Sequence, residues 1–291
     1  MAALPTFLII GSQKAGTTWL HRTISQHPEV VVSTPKELHF FNDLATYERG
    51  LDWYADHFDP TPETKAIGEA TPSFQTTDIP EDRPDERRDL IPWRTHDAIP
   101  DVRLILILRD PVERAVSAYY HFLRKGTWPG WPSMSDVSDS RGIVSAGFYD
   151  VHLTRWLETF DPEQLLVFVY EEAFRDATSK GAMVNRTFEH IGVDPSFEPS
   201  LPEERLNSRM RHFDLRTNQY PRLARGVIRR AVPRSVQERY EWGVGVTPDE
   251  RAALRRLYEP HVDRLSSMLG RSLPWPNGDA TDDESEHDVV G

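Results

Sequence analysis

The sequence predicts an α/β fold: a parallel sheet of the phosphate-loop type, flanked by helices and followed by a helical C-terminal portion. Three observations predict it. Short aliphatic runs alternate with stretches of helical spacing, the pattern of parallel strands covered on both faces. The first run ends in a glycine-bounded loop, Gly11-Ser12-Gln13-Lys14-Ala15-Gly16-Thr17-Thr18, that opens a helix. The last long stretch begins Thr247-Pro248-Asp249-Glu250, a capping threonine with a glutamate three positions on.

Taken in order, Leu4 to Ile10 is a short, mostly apolar run that reads as a buried strand, and Thr17 to Gln26 is a helix closed by His27-Pro28. Val30 to Val32 is a second β-branched run. Ala66 to Glu69 is a third short strand, set before Thr71-Pro72. Pro80 to Pro92 is polar and proline-bearing, which predicts a surface loop. Val102 to Leu108 is the clearest buried strand, and it runs into Arg109-Asp110-Pro111. Val112 to Leu123 follows as a helix with Pro111 near its start, where a missing N–H costs nothing. Gly126 to Gly142, rich in Gly, Pro, Ser and Trp, is expected to be a mobile loop. Phe148 to Phe160 has helical spacing, Leu165 to Val169 is another strand, and helical segments extend through Ile191. The helix opened at Thr247 is expected to end near Leu269.

The chain has 291 residues, 38% apolar and 27% charged, which is enough for a sizeable core. No repeat and no obvious linker divides it. It reads as one α/β domain over 1–276 and an acidic disordered tail over 277–291. Of the net charge of −12, half sits in that tail: Asp279, Asp282, Asp283, Glu284, Glu286 and Asp288, with no Lys or Arg from Asp279 onward. Arg205 to Arg234 is the opposite, with nine Arg and one acid. That basic segment fits either an anionic ligand or helix faces paired with acids elsewhere. No run of about 18 apolar residues is present, so no membrane span is expected. The N-terminus lacks a basic segment before its apolar run and reads as no signal peptide. The absence of cysteine excludes disulfides and thiolate chemistry, and it fits a reducing, cytoplasmic setting.

The chemistry starts at the loop. Its position between strand and helix is the one a phosphate cradle requires: glycines let backbone N–H groups close on phosphate oxygens, and the helix N-terminus adds positive potential. The residues chosen to hold phosphate are Lys14, Ala15, Gly16, Thr17 and Thr18. A nucleoside-triphosphatase loop reads GxxxxGK[ST]. Here the glycine spacing is the same, but Thr17 stands after Gly16 and the lysine is inside the loop at Lys14. A lysine there faces the 5′ end of a short phosphate chain. The strand Val102 to Leu108 ends in Arg109, not in a metal-binding acid. The structural alternatives are a glycine turn that only joins strand to helix, and an Arg109 paired with Asp110 or Glu113.

The stretch Ile9 to Leu20, IIGSQKAGTTWL, resembles the 5′-phosphosulfate loop of sulfotransferases that use 3′-phosphoadenosine 5′-phosphosulfate (PAPS). A second family signature, a strand ending in Arg with a Ser eight residues on, is matched by Arg109 and Ser117 in RLILILRDPVERAVSAYYHF. The resemblance covers roughly residues 4 to 192 and implies PAPS as co-substrate, with no metal. It implies that Arg109 and Ser117 hold the 3′-phosphate. The resemblance is nearest to the heparan-sulfate type and its bacterial relatives, which carry an acid just before a His-Phe-Phe segment. Pro35-Lys36-Glu37-Leu38-His39-Phe40-Phe41 matches, so Glu37 is the implied general base and His39 the rival. Lys14 is the implied cation on the bridging oxygen of the in-line transfer.

The acceptor side is less defined. Gly68-Glu69-Ala70-Thr71-Pro72 resembles another family segment, but relatives often have Lys after the Glu where this chain has Ala70. Glu69 and Tyr149 are the candidate acceptor contacts, with a structural role open for Glu69. Arg205 and Arg209 are candidates to close over the nucleotide. Trp128 and Trp131 either stack on an acceptor or cover the core; His121 and His152 read as surface or packing residues. The expected acceptor is a hydroxyl-bearing small molecule, a glycan or a glycolipid. Two other readings stand beside this one: a phosphate-loop kinase or NTPase with a shifted lysine, and a nucleotide-binding module without chemistry. A nucleic-acid partner is not expected, because the Arg segment is isolated in an acidic chain.

Overall fold

The computed structural model describes residues 3–76, 90–128, 132–201 and 246–276. Five parallel strands form one sheet: β1 (Phe7–Gly11), β2 (Val30–Val32), β3 (Ala66–Ala70), β4 (Arg103–Leu108) and β5 (Leu165–Val169), in the spatial order β2-β3-β1-β4-β5. The order reverses around β1, which pairs with β3 on one side and β4 on the other. The crevice outside the carboxyl ends of strands at such a reversal is where open α/β sheets bind ligands. The loop after β1 and the Arg109 turn after β4 therefore emerge side by side.

Alternation along the strands divides the core. Leu8, Ile10, Leu104, Leu106 and Leu108 face one side, where they meet Phe40, Phe41, Tyr54 and Trp156. Phe7, Ile9, Ile105 and Ile107 face the other, against Trp19, Leu20 and Ile24 of α1 (Thr17–Ile24). Each strand is apolar on both faces because both are covered. Between β2 and β3 lie two short helices, α2 (Leu44–Tyr47) and α3 (Gly50–Ala55), which the sequence reading missed because neither reaches two turns. α4 (Ile91–Ala98) starts inside the expected surface loop 80–92, with Pro92 in its first turn; residues 77–89 lie outside the described residues.

α5 (Pro111–Lys125) is capped by Asp110, whose carboxylate accepts from Val112 N at 2.8 Å and Glu113 N at 3.3 Å, and it ends at left-handed Gly126. In the stretch expected as a mobile loop, Ser135–Val137 and Ser140–Gly142 form 3-10 turns. α6 (Tyr149–Leu157) precedes β5, and α7 (Tyr170–Ala173) follows it at once. α8 (Ala177–Ile191) covers the second face. α9 (Pro248–Leu269) has the expected capping box, with Thr247 and Glu250 bonded reciprocally, and it packs on α5 through Leu254 and Tyr258. Among the described residues no helix is long and apolar enough to cross a membrane. The acidic tail and the basic segment of residues 205–234 lie outside the described residues.

Gly68 is the tightest point of the sheet. It pairs with Phe7, and a Cβ built on it would lie 2.1 Å from the Phe7 ring. Gly68→Ala is therefore expected to cost about 1–3 kcal/mol, as overpacking does. Urea denaturation checks this, and a Phe7→Leu second change, which removes the ring, should recover part of the loss.

Candidate active site

The loop after β1 is held by the sheet before it meets any ligand. Ser12 N donates to Ile107 O at 2.8 Å, and Ala15 N to Ser12 O at 3.1 Å. Lys14 has φ 72° and Gly16 φ 88°. The left-handed turn at Gly16 has no side-chain cap, and a Cβ there would lie 2.6 Å from the Phe174 ring, so glycine is required on two counts. The N–H groups of α1's first turn, at Thr17 and Thr18, are thus not covered by a capping side chain. Ala15 and Thr17 are buried, and Thr18 is half-buried. The Ser12 hydroxyl is fully buried and lies beside the Tyr149 hydroxyl.

Arg109 reaches the loop directly. Its Nη1 donates to Lys14 O at 2.9 Å, its guanidinium lies 4.9 Å above the Tyr170 ring, and its buried Nε has no partner among the described residues. The alternative pairing of Arg109 with Asp110 or Glu113 does not form: Asp110 caps α5 and pairs with Arg255 at 3.5 Å, while Glu113 pairs with Arg251. Ser117 is half-buried on α5, one turn before His121 on the same helix face.

Charge gathers around Lys14. Burial, then the positive charges of Arg124, Arg109 and Lys125, push its ammonium down to about 8, while Glu37 acts in the opposite sense. Glu37 is also felt by His21 and His121, both pushed down to about 4, chiefly by burial. Lys14, Glu37 and His121 therefore share one electrostatic neighbourhood, contributed by the β1 loop, the segment after β2 and α5. From the sequence alone, His121 reads only as a surface or packing residue. Its one available signal was the four-residue spacing from Ser117, which repeats a helix face.

Glu37 is exposed, pairs with Lys36 at 2.8 Å, and has His39 Nε2 at 3.8 Å from its second oxygen. His39 has φ 57°, and its Nδ1 lies 3.4 Å from Ser73 Oγ. The two residues considered for the base therefore sit together, on a segment pinned from beneath by Glu69.

Glu69 and Tyr149 correct the acceptor-side expectation. Glu69 is fully buried. It accepts from Leu38 N at 3.0 Å, from Tyr54 Oη at 2.5 Å and from Thr71 Oγ1, so no acceptor can reach it. Burial pushes its carboxyl up to about 7 against those donors. Its role is to tether the chain one residue after Glu37. Tyr149 is 2% exposed, and its hydroxyl donates to Arg109 O at 2.9 Å. That hydrogen bond ties it to the turn after β4. Trp128 packs edge-on against Phe122, the covering role, and His152 is buried with Nε2 2.9 Å from Ser145 O. Arg205, Arg209 and Trp131 lie outside the described residues.

Comparison with known proteins agrees with this geometry. The family described as "Sulfotransferase domain" matches residues 4–225. Bifunctional heparan sulfate N-deacetylase/N-sulfotransferase 4 of Mus musculus is 28% identical over 93% of this chain, and the chain spans 31% of that protein. It thus spans about a third of the length of such bifunctional relatives. Heparan sulfate glucosamine 3-O-sulfotransferase 6 of Homo sapiens is 28% identical over 93% of this chain and 73% of its own length. A solved sulfotransferase from Alicyclobacillus acidocaldarius superposes with a TM-score of 0.67 at 25% identity, covering 93% of this chain and 98% of that one. With its phosphate loop, its Arg109–Ser117 turn and helix, and a family match over most of its length, the chain belongs to the sulfotransferase family of transferase enzymes.

Proposed function

We propose that the chain moves a sulfuryl group from PAPS to a hydroxyl on a carbohydrate or glycolipid, with Glu37 as general base. The observation that carries this reading is the 2.9 Å hydrogen bond from Arg109 Nη1 to Lys14 O, which joins two anion-holding motifs. A donor with a 5′-phosphosulfate and a separate 3′-phosphate needs two such motifs next to each other. The residues present fit that donor. The buried Arg109 Nε has hydrogen-bonding capacity unspent among the described residues, and a phosphate oxygen would accept from it.

PAPS, when bound, supplies an electrophilic sulfuryl group on a phosphate leaving group. The chain's own residues do the rest. Lys14, with the N–H groups of the first turn of α1, holds negative charge on the phosphate side. Arg109 and Ser117 hold the 3′-phosphate, the guanidinium by paired N–H donors. Glu37 takes the proton of the acceptor hydroxyl; it is exposed, so an acceptor can reach it, and it shares a field with Lys14. His121, held as the neutral imidazole by burial and by the Lys14 charge, offers a hydrogen bond rather than a positive charge. The relatives named for heparan sulfate support a glycan acceptor.

The donor reading is tested by calorimetric titration with 3′-phosphoadenosine 5′-phosphate and, separately, with ATP plus Mg²⁺. Binding of the first and not the second supports it; the reverse overturns it in favour of a kinase. Lys14→Ala should lower turnover by about 10²–10³ with the thermal midpoint unchanged. Glu37→Gln should lower kcat by about 10²–10⁴ and leave donor affinity intact; if His39→Asn does this instead, the base is His39.

A pH limb arises from Lys14. Its free-enzyme ammonium is pushed down to about 8, so the cation is present below that pH and is lost as pH rises through it. The value of kcat/KM for the donor, which reports the free enzyme, should therefore fall above about pH 8. The kcat limb should lie higher, because bound phosphate favours the protonated lysine. A kcat/KM profile flat across that range would remove the Lys14 charge from donor capture.

A further inference from the structure

The peptide group joining Arg109 to Asp110 is held at both polar atoms. Its carbonyl accepts from the Tyr149 hydroxyl at 2.9 Å, and its N–H donates to Glu171 Oε1 at 3.0 Å. Fixing that plane fixes the direction in which Arg109 leaves β4. Both holders meet one residue of the chain's C-terminal segment. Trp275 Nε1 donates to the other Glu171 oxygen at 2.8 Å, and the Trp275 ring packs on the Tyr149 ring with centroids 6.0 Å apart.

The segment carrying Trp275 is itself anchored. It leaves α9 at Gly270, and Arg271 Nη1 lies 2.9–3.0 Å from the Glu172 carboxylate oxygens. At its far end Arg255 Nη1 reaches Pro276 O at 3.4 Å and the Asp110 carboxylate at 3.5 Å. Trp275 is 6% exposed. The strap of residues 271–276 therefore closes on the Arg109–Asp110 turn by three routes: the indole N–H, the ring face and Arg255.

We propose that Trp275 is a positioning residue for donor binding: the strap sets the Arg109–Asp110 peptide plane and so aims the guanidinium at the 3′-phosphate. This rests on the reading of Arg109 given under Proposed function. The strap touches no nucleotide in this scheme. It acts through Glu171 and Tyr149, and a chain lacking it would keep the loop around Lys14 while losing grip on the second phosphate.

The test is calorimetric affinity for 3′-phosphoadenosine 5′-phosphate and for AMP, in the full chain, for Trp275→Phe, Tyr149→Phe, Arg109→Lys and the Trp275→Phe/Arg109→Lys double variant. Trp275→Phe keeps an aromatic ring, and removes the N–H together with part of the indole's area. It should weaken the bisphosphate about tenfold, the loss of one hydrogen bond to a charged group, and leave AMP unchanged. The donor KM should rise with kcat nearly constant. In the Arg109→Lys background the same change should add nothing, because the two act in series. Equal losses for both nucleotides, no loss, or additive losses would overturn the proposal. If Trp275→Phe fails to fold, as its thermal midpoint would show, Tyr149→Phe carries the same expectation from the other side of the peptide. If Arg109→Lys leaves the bisphosphate preference intact, the reading of Arg109 itself fails, whatever Trp275 does.

Discussion

One hydrogen bond organises the site: Arg109 donating to the carbonyl of Lys14. It exists because β1 and β4 are neighbours in a parallel sheet, so that the turns leaving the two strands emerge at the same edge. It uses a loop carbonyl that would otherwise need water, and it brings a guanidinium to a lysine despite their like charge. On the proposed reading, a doubly anionic ligand would offset that repulsion. Lys14 is depressed first by burial and then by Arg124, with Arg109 adding a smaller push.

α7 gathers the rest. Within it and just after it, Tyr170 lies under the Arg109 guanidinium, Glu171 holds the Asp110 N–H, Glu172 anchors Arg271, and Phe174 fills the space that a side chain at Gly16 would need. A single turn of helix after an edge strand thus touches the loop, the arginine and the C-terminal strap. On the other side of the sheet, Glu69 does comparable work with one carboxylate, tying β3 to the segment that carries Glu37 and His39.

Most of the frame was legible in the sequence because its signals are local. Five strands and the starts of α1, α5 and α9 derive from apolar runs, the glycine loop, Pro111 and Thr247-Glu250. Lys14 and Arg109 were legible too, since their residue types break the surrounding pattern. The roles of Glu69 and Tyr149 are not legible in the sequence, for a common reason. Each is a polar residue near the site in sequence, and nothing local says whether a polar group faces solvent or is satisfied by donors tens of residues away. The link from Trp275 to Glu171 joins positions more than a hundred residues apart, so no window along the chain contains it. α2 and α3 were missed because short helices rest on tertiary packing rather than on periodicity.

The two faces of the sheet are packed by separate sets of side chains, Leu8, Leu104 and Phe40 on one and Ile9, Ile105 and Leu20 on the other. The loop and Arg109 hang from the strands that both sets share, whereas the segment from Ser33 to Asn42 leans on the first set alone. Mutational drift is therefore unequal across the molecule. Changes around Phe40, Phe41 and Tyr54 can reshape the rim on which Glu37 sits while the strand ends stay put. With Glu37 on the acceptor side, as proposed, a lineage built on this frame could explore new acceptors through substitutions in one aromatic patch.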